Sequence, residues 1–283
     1  AGTVVDRTAC HWKLEFEWDQ NEVLYGLGSY EEGIFNYRNH HQYLYQQNMR
    51  VAVPCLVSTK GYGILFDSYS FMTFHDDVYG SYVWSDVNDE LDYYFIYGPE
   101  FDGIVAGYRD LTGQVPMFPK WAFGYFQSKE RYTSQDELLS IVQEYRKRKI
   151  PLDVIVLDWM SWEGNYWGQK SLDPKRFPDP EQMMEELHKL NARLMVSIWP
   201  NIQNDGPDQL EMKENGFLLG NQSTYDAFNE AARKMYWKQA YEGLFSKGID
   251  AWWCDCTEPF ENDWRGEVKP EPEQRILLNV GEA

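Results

Sequence analysis

A chain of 283 residues that is 43% hydrophobic and 17% aromatic can bury a large core, and its length suits two moderate domains. Its 26 basic and 45 acidic side chains give a net charge of -19, which repels phosphate backbones and anionic lipid and argues against nucleic acid or a membrane as partner. Four Cys, at 10, 55, 254 and 256, are too few and too scattered for a disulfide framework.

The start, AGTVVDRTACHWKLEFEW, has no basic region ahead of an apolar stretch, so no signal peptide is expected in it, and no run is long and apolar enough for a membrane span. The compartment, cytoplasmic or secreted, stays open. Over residues 1–115, short β-like stretches alternate with Gly and Asn: KLEFEW, YLYQQN, VAVPCLVS, YGILFD, YSFMTFH and LDYYFIYG. That spacing predicts antiparallel β structure, most simply a sandwich. LTGQVPMFPKW then marks the boundary with a second domain over 116–283.

Beyond the boundary the pattern predicts strands over 121–128, 152–159, 193–200 and 249–255, with helices over 134–149, 179–192 and 227–248 between them. Strands that are apolar throughout and alternate with amphipathic helices predict a parallel sheet covered by helices. Asp158, Trp199 and Asp255 fall at the carboxyl ends of successive strands, where barrel sites are built. YGLGSYEEG spaces its glycines wrongly for a dinucleotide fingerprint, so a Rossmann reading gains nothing. The predicted fold class is α/β: an amino-terminal antiparallel β-sandwich followed by a doubly wound sheet or, as the strand-end residues favour, by the first half of a (β/α)8 TIM-type barrel, truncated after strand 4.

Alternation along the fourth strand puts Trp253 and Asp255 on one face, toward the barrel axis, and Cys254 and Cys256 on the other. Two thiols without nearby His do not make a metal site, and neither metal nor cofactor is expected. The same logic brings Asp158 to the mouth, with Phe126, Trp159, Trp162, Trp167, Trp199 and Trp253 as flat walls. Paired carboxylates among aromatics are what glycoside hydrolysis requires. The spacing leaves a second reading open, in which each acid caps a helix or pairs with a base such as Arg131. His40 and His41 fit a loop reaching the mouth as well as a plain exposed loop, His188 fits a helix surface, and no Ser or Cys stands in a nucleophile-elbow context.

Several stretches, in order, resemble glycoside hydrolase family 31. GLGSYEEGIFNYR, AVPCLVSTKGYGILFD and YFIYGPEFDGIVAGYRDLTG are similar to that family's amino-terminal β-sandwich and its approach to the barrel. FGYFQSKERY, PLDVIVLDWMSW, MVSIWPN and DAWWCDCTEP resemble its first four barrel strands, with LDPKRFPDPEQMMEELH following the second. The resemblance implies that Asp255 is the catalytic nucleophile and that Asp158 binds sugar hydroxyls. It makes Trp199 and Trp253 walls of the subsite, with Phe126 and Trp159 as looser aromatic neighbours, and gives Glu258 a supporting role. It implies an oligosaccharide or small α-glycoside substrate, and LDWMSW, SIWPN and WWCDCTEP are closest to the α-xylosidase-like branch. An α-glucosidase or α-galactosidase of the same family, a lyase or transglycosylase on the same frame, and a non-catalytic carbohydrate-binding protein are the alternatives. No residue matches the family's general acid/base, so the segment alone is expected to be inactive, with the remainder of the barrel supplied by a parent chain. A homo-oligomer stays open.

Overall fold

The computed structural model describes residues 9–46, 49–219 and 222–257, and the chain divides into two compact units whose sequence boundary lies between Pro116 and Met117. Among the described residues the first unit holds two antiparallel sheets. One orders β1 (Cys10–Phe16), β7 (Gly80–Asn88), β6 (Met72–Asp77) and β3 (His41–Leu44); the other orders β2 (Leu24–Ser29), β4 (Val51–Ser58), β5 (Tyr62–Phe66) and β8 (Tyr93–Tyr97). Trp12, Leu44, Phe74 and Val83 from the first sheet and Leu24, Leu56 and Phe66 from the second enter one buried cluster, so the sheets share a core. Gly28, at φ 118°, lies so close to β4 that a Cβ would fall 1.9 Å from the Val51 carbonyl oxygen; it sits where β2 bulges.

Two elements of this unit depart from the sequence expectation. SYVWSDVN is not among the stretches expected as β, yet it lies within the nine-residue β7 and turns Ser81, Val83 and Ser85 inward. The two hydroxyls tolerate burial because each is hydrogen-bonded: Ser81 donates to the His75 carbonyl, and Ser85 accepts from the Asn88 amide group at 2.8 Å. FDGIVAGYRDLT forms a helix, α1 (Phe101–Thr112), where only β structure was expected. Its glycines are packing residues, since a Cβ on Gly107 would come 2.5 Å from the Ile96 side chain.

The second unit carries a parallel sheet ordered β9 (Phe126–Gln127), β10 (Val154–Leu157), β11 (Arg193–Ile198) and β12 (Ala251–Cys254). Between the strands run α2 (Gln135–Lys147), α3 (Pro180–Lys189), α4 (Pro207–Glu214) and α5 (Glu230–Gly243). Three helices start on side-chain caps: Ser134 Oγ accepts from the Glu137 amide, Asp179 from Gln182 and Asn229 from Ala231. All four residues of β10 are buried, as a parallel strand covered on both faces requires. Leu138, Val142, Leu157, Met183, Leu187 and Leu194 form the core between sheet and helices.

The first strand is much shorter than the predicted 121–128. Lys120–Phe123 makes a 3-10 turn instead, and the Asp153 carboxylate occupies the space beside Gly124, accepting the Tyr125 amide at 3.1 Å. α4 was also unanticipated, because the short QNDGPDQLEMKENG has too few apolar residues to show a helical period.

Candidate active site

Each acid singled out in the sequence follows its strand directly: Asp158 comes after β10, and Asp255 after β12. The ladder carries on past β12, with the Asp255 amide donating to the Ile198 carbonyl at 3.0 Å. The two acids are anchored alike. Asp158 Oδ1 accepts the amide of Trp159 at 2.7 Å and Asp255 Oδ1 that of Cys256 at 2.8 Å. Among the described residues each therefore keeps oxygen lone pairs for a ligand. Among the described residues neither acid forms an ion pair or caps a helix, so the alternative of structural carboxylates paired with Arg131 gains no support. Arg131 instead lays its guanidinium 5.9 Å from the centre of the Trp159 ring and directs Nη1 at the Met160 sulfur.

Asp158 senses Asp255. Burial pushes the Asp158 carboxyl above its ordinary value, and the negative charges of Asp255 and Glu130 push the same way, against the Trp159 amide and the nearby Ser197 hydroxyl. Ser197 Oγ is itself buried without a hydrogen bond of good geometry. A residue in left-handed backbone follows each acid closely, Met160 at φ 56° and Cys256 at φ 51°. Such non-glycine residues persist where the surroundings over-determine them, often at functional sites.

One constraint on Met160 was not singled out in the sequence. Arg176 Nη2 donates to the Met160 carbonyl at 2.6 Å and to the Trp162 carbonyl at 2.5 Å, while Arg176 Nε donates to the buried Asp173 carboxylate at 2.8 Å. Burial raises the Asp173 carboxyl, but Arg176 and the Lys175 amide outweigh it and hold its pKa below the usual value. The turn after Asp158 is thus tied by a charged fork. The signal was present in LDPKRFPD, where Asp173 and Arg176 stand three residues apart, but that spacing alone says nothing of the carbonyls they hold.

Four tryptophans build one aromatic cluster. Trp159 tilts on Trp167 at 5.3 Å between ring centres; Trp167 meets Trp162 and Trp199 at 5.8 Å each, and Trp162 meets Trp199 edge to face at 5.2 Å. The partly exposed faces belong to Trp159 and Trp167, whereas Trp199 is only 2% exposed and lies at the base. Trp253 is 48% exposed, and its neighbour Trp252 packs into the core, as strand alternation expects. Phe126 is half-buried in β9. Gly168, at φ 71°, brings the Trp-bearing loop against the backbone, where a Cβ would fall 2.1 Å from the Asn201 carbonyl oxygen. Glu258 lies outside the described residues. His41 stands across from His75 in the β3–β6 pairing, ring centres 4.6 Å apart, and belongs to the first unit. Among the described residues no cluster of His, Cys, Asp or Glu could hold a metal, and no helix is long and apolar enough to cross a membrane.

The parallel sheet with its covering helices agrees with the comparisons to known proteins. The model of the glycosyl hydrolases family 31 TIM-barrel domain matches residues 115–277, more than half of the chain. The chain belongs to glycosyl hydrolases family 31. An α-xylosidase of Saccharolobus solfataricus is 41% identical over 254 residues, covering 87% of this chain and 35% of that protein. A family 31 α-xylosidase from a soil metagenome, solved with xylose, superposes with a TM-score of 0.83 at 29% identity, over 96% of this chain and 42% of its own. The fold also matches that of an α-xylosidase from Xanthomonas citri, with a TM-score of 0.86 at 24% identity, over 98% of this chain and 49% of that one. The family 31 chain thus spans between a third and a half of the length of these relatives.

Proposed function

We propose that the full-length protein is a retaining α-glycoside hydrolase that removes a terminal α-linked sugar, most specifically an α-xylosidase. The observation that carries this reading is the acid pair: two carboxylates at the ends of β10 and β12, on either side of β11, with the charge of Asp255 bearing on Asp158, neither paired with a base among the described residues, and with Trp159 and Trp253 next to them in the chain. In this reading Asp255 attacks the anomeric carbon and forms a covalent glycosyl-enzyme intermediate, while Asp158 accepts hydrogen bonds from sugar hydroxyls. Trp159, Trp253 and Phe126 offer apolar faces to the ring, with Trp199 supporting them from below, and Glu258 assists near the nucleophile. A general acid/base roughly 5 to 5.5 Å from Asp255 is required for retention, and it comes from elsewhere in the protein. The segment by itself is accordingly inactive.

The same reading takes residues 1–115 as a sandwich domain and 116–283 as the first half of an eight-stranded barrel. Identity to the Saccharolobus α-xylosidase, at 41%, exceeds that to an α-glucosidase of the same organism, at 28%, which favours xylose over glucose. The fixed turn at Met160 supplies a physical reason. In this reading the Met160 side chain stands on the C5 side of the sugar, where it crowds the hydroxymethyl group that glucose carries and xylose lacks, and Arg176 holds its backbone there. The test is the specificity constant of the full-length protein on p-nitrophenyl α-xyloside, α-glucoside and α-galactoside. Preference for either hexoside overturns the xylose assignment; no turnover of any, with binding retained, overturns hydrolysis in favour of a carbohydrate-binding protein.

A further inference from the structure

We infer that Lys170, in the connection between β10 and α3, is a positioning residue that acts through Tyr236 to fix the Trp199 backbone beneath the aromatic wall of the site. This rests on the reading above, in which that wall bounds the sugar.

Lys170 is only 2% exposed, and among the described residues its Nζ has no hydrogen-bond partner. What it faces is a ring: Nζ stands 4.2 Å from the centre of Tyr236 on α5. The Tyr236 hydroxyl donates to the Trp199 carbonyl at 2.8 Å. Its ring stacks on Tyr225 at 4.4 Å, and the Tyr225 amide donates to the Pro200 carbonyl. One pair of stacked tyrosines therefore holds two successive carbonyls at the end of β11, and the ammonium bears on the ring that holds the first.

The backbone that carries Lys170 is held in place. Its amide donates to Asp208 Oδ2 at 2.7 Å, and its carbonyl lies so near α5 that a Cβ on Gly243 would come within 1.6 Å of it. A Met would fill the same space without desolvating a charge, so packing alone is a poor reason for a lysine here. The ionisable groups around it are Asp208 on α4, the Tyr236 phenol on α5 and, bearing on that phenol, Tyr225 and Cys254. Burial pulls Lys170 down to about 8, with Asp208 opposing, whereas burial drives the Tyr236 phenol well above its ordinary value. The hydroxyl thus remains a donor over the whole range in which the lysine loses its charge.

The experiment uses the full-length protein and whichever of p-nitrophenyl α-xyloside or α-glucoside it turns over faster. K170M and Y236F should each raise KM about fivefold, the worth of one ordinary hydrogen bond, with kcat within about twofold of wild type. The double variant should be no worse than the worse single one, because both act along one chain of contacts. The fall of kcat/KM at basic pH should start near pH 8 in the wild type and be missing in K170M, a change that a packing role would not produce. If K170M does not fold, Y236F alone decides, since it keeps the ring and the core volume. Trp159→Ala serves as the control for the site itself. Raised KM in Trp159→Ala, with KM unchanged in both K170M and Y236F, overturns the positioning role alone. Unchanged KM in Trp159→Ala overturns the reading of the wall and this inference with it.

Discussion

Replacing Arg176 with Met removes the fork that ties the turn after Asp158. The guanidinium gives two charge-assisted bonds, to the Met160 and Trp162 carbonyls, and pairs with Asp173, whose side chain is 12% exposed. Each such bond is worth ~1.5–3 kcal/mol, and deleting one partner of a buried ion pair typically costs ~3–5 kcal/mol because the other charge is stranded. These costs overlap, and the guanidinium is 27% exposed, so water rescues part of the loss. The expected destabilisation is therefore about 3 kcal/mol, at the low end of that range, or roughly 6–12 °C in Tm for a unit of this size. Urea unfolding of full-length wild type and R176M, monitored by tryptophan fluorescence, measures it. Adding Asp173→Asn to R176M should recover part of the loss by removing the stranded carboxylate. A loss under about 1 kcal/mol, or strict additivity in the double variant, refutes the clamp.

Four further outcomes are expected. Ionisation of Asp158 is disfavoured by burial, so binding of a neutral sugar should weaken as pH falls through a range above that of an ordinary carboxylate; D158N, titrated with xylose, should lose this acid limb. Because the folded state holds the Asp158 proton to higher pH than the unfolded chain, this group makes stability fall as pH rises through the window between the two values; D158N should remove that slope in thermal melts. Gly168→Ala places a Cβ 2.1 Å from the Asn201 carbonyl at φ 71°, and should cost about 2 kcal/mol or more with a raised KM, read by melting and kinetics. Lys170 has the opposite sign to an ordinary ion pair: the unfolded chain holds its proton to about pH 10.5, the folded chain only to about 8. Its penalty is full below pH 8 and fades as pH rises to 10.5, so K170M should be the more stable protein at pH 7, by an upper bound of about 3 kcal/mol, and lose that advantage by pH 10.

What was legible in the sequence was decided by burial. β10 is apolar on both faces and ends at an acid, so both strand and Asp158 can be read directly from LDVIVLDW; the same holds for Asp255 after AWWC. β7 escaped because its inward residues are Ser81 and Ser85, whose hydrogen bonds replace the apolar contacts that a periodicity search looks for. α1 escaped because Gly103 and Gly107, poor helix formers alone, serve close packing, Gly107 on Ile96 of β8 and Gly103 on Gly98 just beyond it. The Arg176 clamp and the Lys170 contact join residues far apart in the chain through backbone carbonyls and ring faces. No local pattern encodes such pairings, and the fold alone brings them together.

In the proposed function a carboxylate oxygen of Asp255 attacks the anomeric carbon with its lone pair. The most direct measurement is to inactivate the full-length protein with a 5-fluoro-α-xylosyl fluoride, whose slow breakdown traps a glycosyl-enzyme, and to map the adduct by peptide mass spectrometry. The carboxylate displaces the anomeric fluoride and keeps the C5-fluorinated ring, so the expected result is one added 5-fluoroxylosyl unit on the peptide carrying Asp255, absent in Asp255→Ala together with turnover. An adduct on another carboxylate, or near-normal turnover in Asp255→Ala, contradicts it.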